Sequence, residues 1–249
     1  MSLKKQTRLY LTSPTTGQVD IHYMRSVFLL QAECNKRKIG ITLHLHKSSI
    51  VTFGRNACTA AFLNSDATHM LFVDTDIQFD EKDIFRMMEA DEEVTLIPYP
   101  MKWLDWKKAS EMHQRHGIPV NKGVFHFPMK ILGEDFECIN GWMEIERGPA
   151  GCMLIKREAI ERMIKFYPDL KVKQNHLVNE SVKNSTHSYN FWDTEFNKET
   201  GQIIGEDFAF CDRYRKAGGR IFALIDSEIA HHGNYPFRAK FIDECGKIE

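Results

Sequence analysis

The run Met70-Leu71-Phe72-Val73, ending on Asp74-Thr75-Asp76, constrains this chain more than any other feature. Across the first hundred residues, short apolar runs of this kind alternate with segments of helical period, the pattern of an α/β unit with a mostly parallel sheet. In open α/β sheets, ligands bind in the crevice beyond the carboxyl ends of the strands. Asp74 and Asp76 are delivered to such an end.

The neighbouring segments read consistently with that frame. Thr7 to Leu11 is a strand, followed by a hydroxyl-rich loop from Thr12 to Gly17. Tyr23, Val27, Leu30 and Cys34 recur at helical spacing, so one helix face packs inward, with Lys36-Arg37-Lys38 at its basic end and Gly40 marking the stop. A strand follows at Ile41 to His46, then a helix from Arg55 to Asn64. Asp80 reads as the cap of a helix that begins at Glu81.

Two carboxylates one residue apart can face a common point if the chain bends, and hard oxygen ligands suit Mg²⁺ or Mn²⁺. Such an ion would neutralise a diphosphate and stabilise charge on a leaving nucleoside diphosphate. The competing structural role for these residues is helix capping, which Asp80 fulfils and for which neither Asp74 nor Asp76 is placed.

Composition narrows the partners. The 33 Lys and Arg nearly cancel the 34 Asp and Glu, so no net field draws the protein to nucleic acid or an acidic membrane. Any anionic ligand is then held locally. No segment approaches the roughly 20 apolar residues of an integral membrane segment, and the first residues lack the apolar stretch of a secretory signal. A cytoplasmic protein is expected. Six cysteines without C-x-x-C spacing read as reduced core residues.

Four stretches, in order, carry a resemblance: Leu11-Thr12-Ser13-Pro14; Gly54-Arg55-Asn56-Ala57-Cys58 with Phe72-Val73-Asp74-Thr75-Asp76; Gly148-Pro149-Ala150-Gly151-Cys152; and Gly205-Glu206-Asp207-Phe208 with Ile229-Ala230-His231-His232-Gly233. The chain resembles the GT-A class of nucleotide-diphospho-sugar glycosyltransferases, particularly the family-2-like enzymes of bacteria and large viruses. The resemblance implies one GT-A (Rossmann-like) domain over residues 1–249, with a mixed, mostly parallel sheet flanked by helices. It divides near residue 100 into a nucleotide-binding half and an acceptor-binding, catalytic half.

By the same resemblance Thr12, Pro14, Arg55, Asn56, Asp74, Thr75, Asp76 and Gly151 line the donor. Asp74, Asp76 and His231 hold Mn²⁺ (or Mg²⁺), with His232 replacing His231 if the pattern is offset by one. Asp207 is the catalytic base and Glu206 orients the acceptor. Physical reasons accompany each. An Arg and an Asn at a helix start favour an anion; glycine permits close approach; a first-turn carboxylate is kept ionised by the helix dipole; and adjacent strand residues alternate faces, so only one histidine points at the site. Arg55 in a surface salt bridge and Glu206-Asp207 as plain helix-end charges are the structural alternatives.

The resemblance covers Met101 to Asn140 poorly. Trp103 and Trp106 there are sugar-stacking residues or core anchors on one helix face. Asn175 to Thr200, containing Tyr189-Asn190-Phe191-Trp192-Asp193, reads as a lid or a plain loop. His44 with His46, and His113 with His116, read as solvent or partner contacts. The expected reaction moves a sugar from a nucleoside-diphosphate donor to a hydroxyl of a glycan, lipid-linked or protein-linked acceptor, with inversion. The alternatives are a nucleotidyltransferase that makes a sugar nucleotide, which should show a Gly-rich phosphate loop absent here, or a noncatalytic carbohydrate-binding module of the same fold.

Overall fold

The computed structural model describes residues 7–133, 137–173 and 187–245. Its first strand, β1 (Arg8–Thr15), runs straight through the segment that reads as a loop in sequence. Parallel pairing explains the extension: β2 (Gly40–Lys47) matches it residue by residue from Arg8 to Thr15, while β3 (His69–Val73) pairs only with Leu9 to Thr12. Pro14 lies beyond the end of β3, where a strand tolerates a residue without an N–H.

Between β1 and β2 lies α1 (Ile21–Lys36), capped by the Asp20 side chain on the His22 N–H. Tyr23, Val27, Leu30 and Cys34 face inward as the spacing predicts, joined by Ser26. The helix ends earlier than Gly40: Lys38 makes the reversal at φ 58°, and Gly40 opens β2. Helix α2 (Val51–Leu63) starts a full turn before Arg55, because Ser48 bonds the Ile50 N–H through its hydroxyl and closes the turn there. Arg55 and Asn56 therefore sit inside the helix, where their N–H groups are already used.

Two strands, β4 (Ile77–Gln78) and β5 (Val94–Leu96), flank α3 (Glu81–Glu89), which Asp80 caps as expected. Then come α4 (Trp106–His116), α5 (Val120–Gly123), β6 (Lys130–Ile131), β7 (Trp142–Arg147), β8 (Cys152–Lys156) and α6 (Arg157–Phe166). A hairpin of β9 (Glu195–Asn197) and β10 (Gln202–Ile204) leads to α7 (Glu206–Lys216). The described chain closes with β11 (Ile221–Leu224), β12 (Ile229–His232), β13 (Pro236–Ala239) and a short 3₁₀ turn.

Eight strands form the central sheet in the order β2-β1-β3-β8-β5-β11-β7-β6. β8 and β7 run against the other six, so the sheet is mixed and mostly parallel. Helices cover both faces, as expected from the alternation of runs. Along β3, Met70 and Phe72 join the core under α2, α6 and α7, while Leu71 and Val73 join the core under α1 and α3. Burial on both faces accounts for the unbroken apolar run.

Two aromatic segments differ from expectation. Residues 175–186 of the proposed lid lie outside the described residues. Phe191 and Trp192 in its described part are core: both are fully buried, and the Trp192 indole N–H donates to Thr59 Oγ1 at 2.9 Å while its ring stacks on Phe210 at 4.0 Å, whereas Phe196 is exposed. Trp103 and Trp106 are exposed and share no helix face, since α4 begins at Trp106. All six cysteines are unpaired, and four of them are buried. Among the described residues no helix is long and apolar enough to cross a membrane.

Candidate functional site

Beyond the end of β3 the chain turns sharply: the Ile77 N–H donates to the Asp74 carbonyl at 3.0 Å, and β4 begins at once. Three neighbours hold this turn through the backbone. Asp74 N–H donates to Gly151 O (3.0 Å), Asp20 N–H to Thr75 O (2.8 Å), and His232 N–H to Asp76 O (2.7 Å). A turn so tied fixes where its side chains go, and the two carboxylates go to different partners.

Asp74 faces Arg55. The Arg55 side chain is buried, its Nη2 lies 3.1 and 3.3 Å from the two Asp74 oxygens, and its Nε lies 3.3 Å from Glu206 Oε1. Phe72 and Trp192 flank the guanidinium at 5.4 and 5.6 Å. Burial works against the charge on Arg55, but Asp74 and Glu206, followed by Tyr99 and Asp207, outweigh it and hold the group above its ordinary value. The surface salt-bridge alternative is therefore excluded by burial. Nη1 of the same guanidinium is buried without a protein partner, so the cation has one donor group to spare.

Asp76 faces the other way. Its Oδ2 accepts from Lys102 Nζ at 2.6 Å, and its Oδ1 lies 3.5 Å from His231 Nε2. Burial tends to raise its pKa, yet the His231 and Lys102 contacts bring it down to about 2. His231 donates from Nδ1 to the Pro100 carbonyl at 3.0 Å, and Nε2 is the ring nitrogen that faces Asp76. His232, on the opposite face of β12, has its Nε2 2.9 Å from Gln78 Oε1 and stacks on His22 at 4.2 Å. Alternation along the strand thus places His231, not His232, beside Asp76.

Asp207 occupies the first turn of α7 near this cluster. Its pKa is pushed up to about 6, first by burial and then by the adjacent Glu206 charge, with Arg55 opposing. Burial thus works against the helix dipole at this carboxylate.

Gly151 is small for a reason other than ligand approach. A Cβ there would stand 2.6 Å from the Tyr99 ring and 2.8 Å from Asp74 Oδ2. Protein groups already fill the space next to it. Thr12 is fully buried with its hydroxyl 3.0 Å from His44 Nδ1, and Pro14 packs against Gly54, where a Cβ would lie 3.0 Å from the Pro14 Cβ. Asn56 spends its amide on the chain near Trp192, donating to Asn190 Oδ1 (2.8 Å) and accepting from the Trp192 N–H (3.1 Å). Thr75 contributes its carbonyl to Asp20. His113 similarly spends Nδ1 on the Ile118 carbonyl at 3.1 Å.

The structure therefore brings Arg55, Asp74, Asp76, Glu206, Asp207, Gly151 and His231 together, and assigns Thr12, Pro14 and Asn56 to the framework. The expected trio Asp74, Asp76 and His231 does not converge, because Arg55 draws Asp74 away. Among the described residues, the set of three such side chains with ligand atoms within 4.8 Å of one another is Asp20, His22 and His232.

Sequence reasoning missed Tyr99 and Lys102. Tyr99 is buried, packs edge-on to His231 at 5.0 Å, and is raised in pKa by burial and then by Asp74. Both residues follow β5, which runs parallel to β3 and is separated from it by β8 alone. The rule that directs attention to strand ends would have found them in the segment from Pro98 to Lys102.

No protein-family model matches the chain, and no curated protein matches it in sequence. Among solved structures it is similar to A197 from STIV, at 16% identity and a TM-score of 0.49 over 91% of this chain and 86% of that one. It is also similar to a glycosyltransferase involved in the glycosylation of the major capsid of PBCV-1, at 11% identity and a TM-score of 0.33 over 65% of each chain. A third, 4-diphosphocytidyl-2C-methyl-D-erythritol synthase from Anaerococcus prevotii, aligns at 10% identity and a TM-score of 0.35 over 85% of this chain and 99% of that one. At these scores the likenesses carry no inference about chemistry.

Proposed function

We propose that this protein is a metal-dependent glycosyltransferase of the GT-A class, moving a sugar from a nucleoside-diphosphate donor to a hydroxyl acceptor. The observation that carries the reading is the division of labour around the Asp74-Thr75-Asp76 turn. Asp76 lies beside His231 Nε2 and accepts from Lys102, while Asp207 in the first turn of α7, on the Arg55–Asp74 side, has its pKa pushed up to about 6.

The residues present fit Mn²⁺ in part. Asp76 and His231 offer one hard oxygen and one imidazole nitrogen 3.5 Å apart, a mixed pair that suits manganese better than magnesium. Ions of this kind commonly take few protein ligands and complete their shell with water and phosphate oxygens. Asp74 is committed to Arg55 and acts by orienting that cation. When bound, the ion would neutralise the diphosphate and lower the cost of its departure.

The chain's own groups do the rest. Lys102, on the Asp76 side, balances charge on the leaving diphosphate. The acceptor oxygen bonds to the anomeric carbon, the bond from that carbon to the diphosphate oxygen breaks with its electron pair, and the hydroxyl proton passes to Asp207. A carboxylate with a pKa of about 6 is ionised at neutral pH and still basic enough to accept that proton well. A single displacement of this kind inverts the anomeric centre.

The test is a panel of UDP-, GDP- and dTDP-sugars with Mn²⁺, reading free nucleoside diphosphate, alongside calorimetry of donor binding. Metal-dependent release or binding that Asp76→Asn removes supports the reading. Neither release nor binding from any donor would end it.

A further inference from the structure

We infer that Asp20, His22 and His232 form a second metal site, distinct from the Asp76–His231 pair, that takes a Zn²⁺-class ion and braces the Asp74-Thr75-Asp76 turn from behind.

The three residues come from different places: Asp20 and His22 from the start of α1, His232 from the end of β12. Their ligand atoms nevertheless lie within 4.8 Å of one another. One carboxylate and two imidazoles are the donor set that borderline ions such as Zn²⁺ prefer, with a water completing four positions.

Two of the three ligands, Asp20 and His232, are also prepared. Asp20 Oδ1 accepts the His22 N–H at 2.7 Å as the helix cap, which leaves Oδ2 for an ion. Gln78 Oε1 accepts from Arg238 Nη2 at 2.9 Å and lies 2.9 Å from His232 Nε2, so that nitrogen carries the proton and the lone pair sits on Nδ1. Such an outer hydrogen bond is the usual support of a ligating histidine. His22 is exposed while His232 is buried, so an ion has a path in from solvent on one side and a fixed anchor on the other.

The site's place in the fold supplies its role. The backbone N–H of Asp20 holds Thr75 O, and that of His232 holds Asp76 O. An ion joining Asp20 to His232 would therefore tie together the two struts that fix the turn. Because successive residues of β12 face opposite ways, His232 ligates here while His231 serves the other face.

The experiment is titration of the full chain with Zn²⁺ by calorimetry and with Co²⁺ by visible absorption, in wild type, His22→Ala, Asp20→Ser and Asp76→Asn. A serine at the cap position retains the helix cap without the carboxylate, and His22 is exposed, so both variants should fold. The expected result is one equivalent bound in wild type and in Asp76→Asn, at least tenfold weaker in His22→Ala and Asp20→Ser, with Co²⁺ bands of a low-coordinate nitrogen site. Absence of binding, binding unchanged by both ligand variants, or loss in Asp76→Asn alone would overturn the proposal. A chain that binds Zn²⁺ in this way yet processes no nucleotide sugar would leave this site standing and the glycosyltransferase reading fallen.

Discussion

Asp74 and Asp76 are the same residue type, one residue apart on one turn, yet they live in opposite surroundings. Asp74 faces the buried Arg55 guanidinium, which it shares with Glu206; Asp76 faces the more open Lys102 and His231. On the inner side a fully desolvated cation must be neutralised, and the carboxylates there serve the structure first. On the outer side a carboxylate has exchangeable partners, and a ligand can compete for it. The contrast teaches that a D-x-D pattern divides its labour by burial: the inner acid aligns the scaffold, and the outer one is free for chemistry.

The sharpest break of this contrast is Arg55→Met. Removing one member of a buried ion cluster leaves Asp74 and Glu206 uncompensated, and about 3 kcal/mol of stability should be lost, read from the urea midpoint. A variant as stable as wild type would show that the inner side is not structural.

Asp76→Asn should do the reverse, changing stability by less than about 1 kcal/mol, as for other partly exposed pairs. Donor turnover with Mn²⁺ should fall about 100-fold or more, the usual loss when a group that stabilises developing charge is removed. Equal effects of the two variants on stability would erase the distinction.

Gly151→Ala probes the boundary between the sides. A methyl group 2.6 Å from Tyr99 and 2.8 Å from Asp74 forces a shift in both, costing about 1–3 kcal/mol as overpacking does. Thermal melting checks it, and Tyr99→Phe should not rescue it because the ring carbon is the nearest obstacle.

The smallest expected effects lie in the pH dependence, where Asp76 and Asp207 have opposite signs. Asp207 is raised from 3.8 to about 6, so it holds its proton more tightly when folded. Its contribution to stability is present below about 4 and fades as pH rises through about 6. Asp76 is lowered from 3.8 to about 2, so its contribution is present above about 4 and fades as pH falls through about 2. Urea midpoints across pH should lose slope between about 4 and 6 in Asp207→Asn, and between about 2 and 4 in Asp76→Asn. Activity with Asp207 as base should climb with pH through about 6.

Local chemistry was legible in the sequence where it depended on pattern. The spacing of Tyr23, Val27, Leu30 and Cys34 located one helix face; the Met70 to Val73 run located a strand buried on both sides; and Asp80 announced its cap. These follow from periodicity and from hydrogen bonds made within a few residues, which a linear string contains. The boundaries that failed were set from outside. β1 outruns its predicted end because β2 pairs with it, and α2 begins before Arg55 because Ser48 closes the turn.

Only the tertiary structure decided how the acids are shared. That Arg55 takes Asp74, that Lys102 from beyond β5 meets Asp76, that Tyr99 explains Gly151, and that His232 joins Asp20 and His22 are juxtapositions of residues far apart in the chain. Burial and Coulomb interactions depend on distance in space, so the sequence by itself determined which groups could do chemistry, and the fold determined which of them face one another.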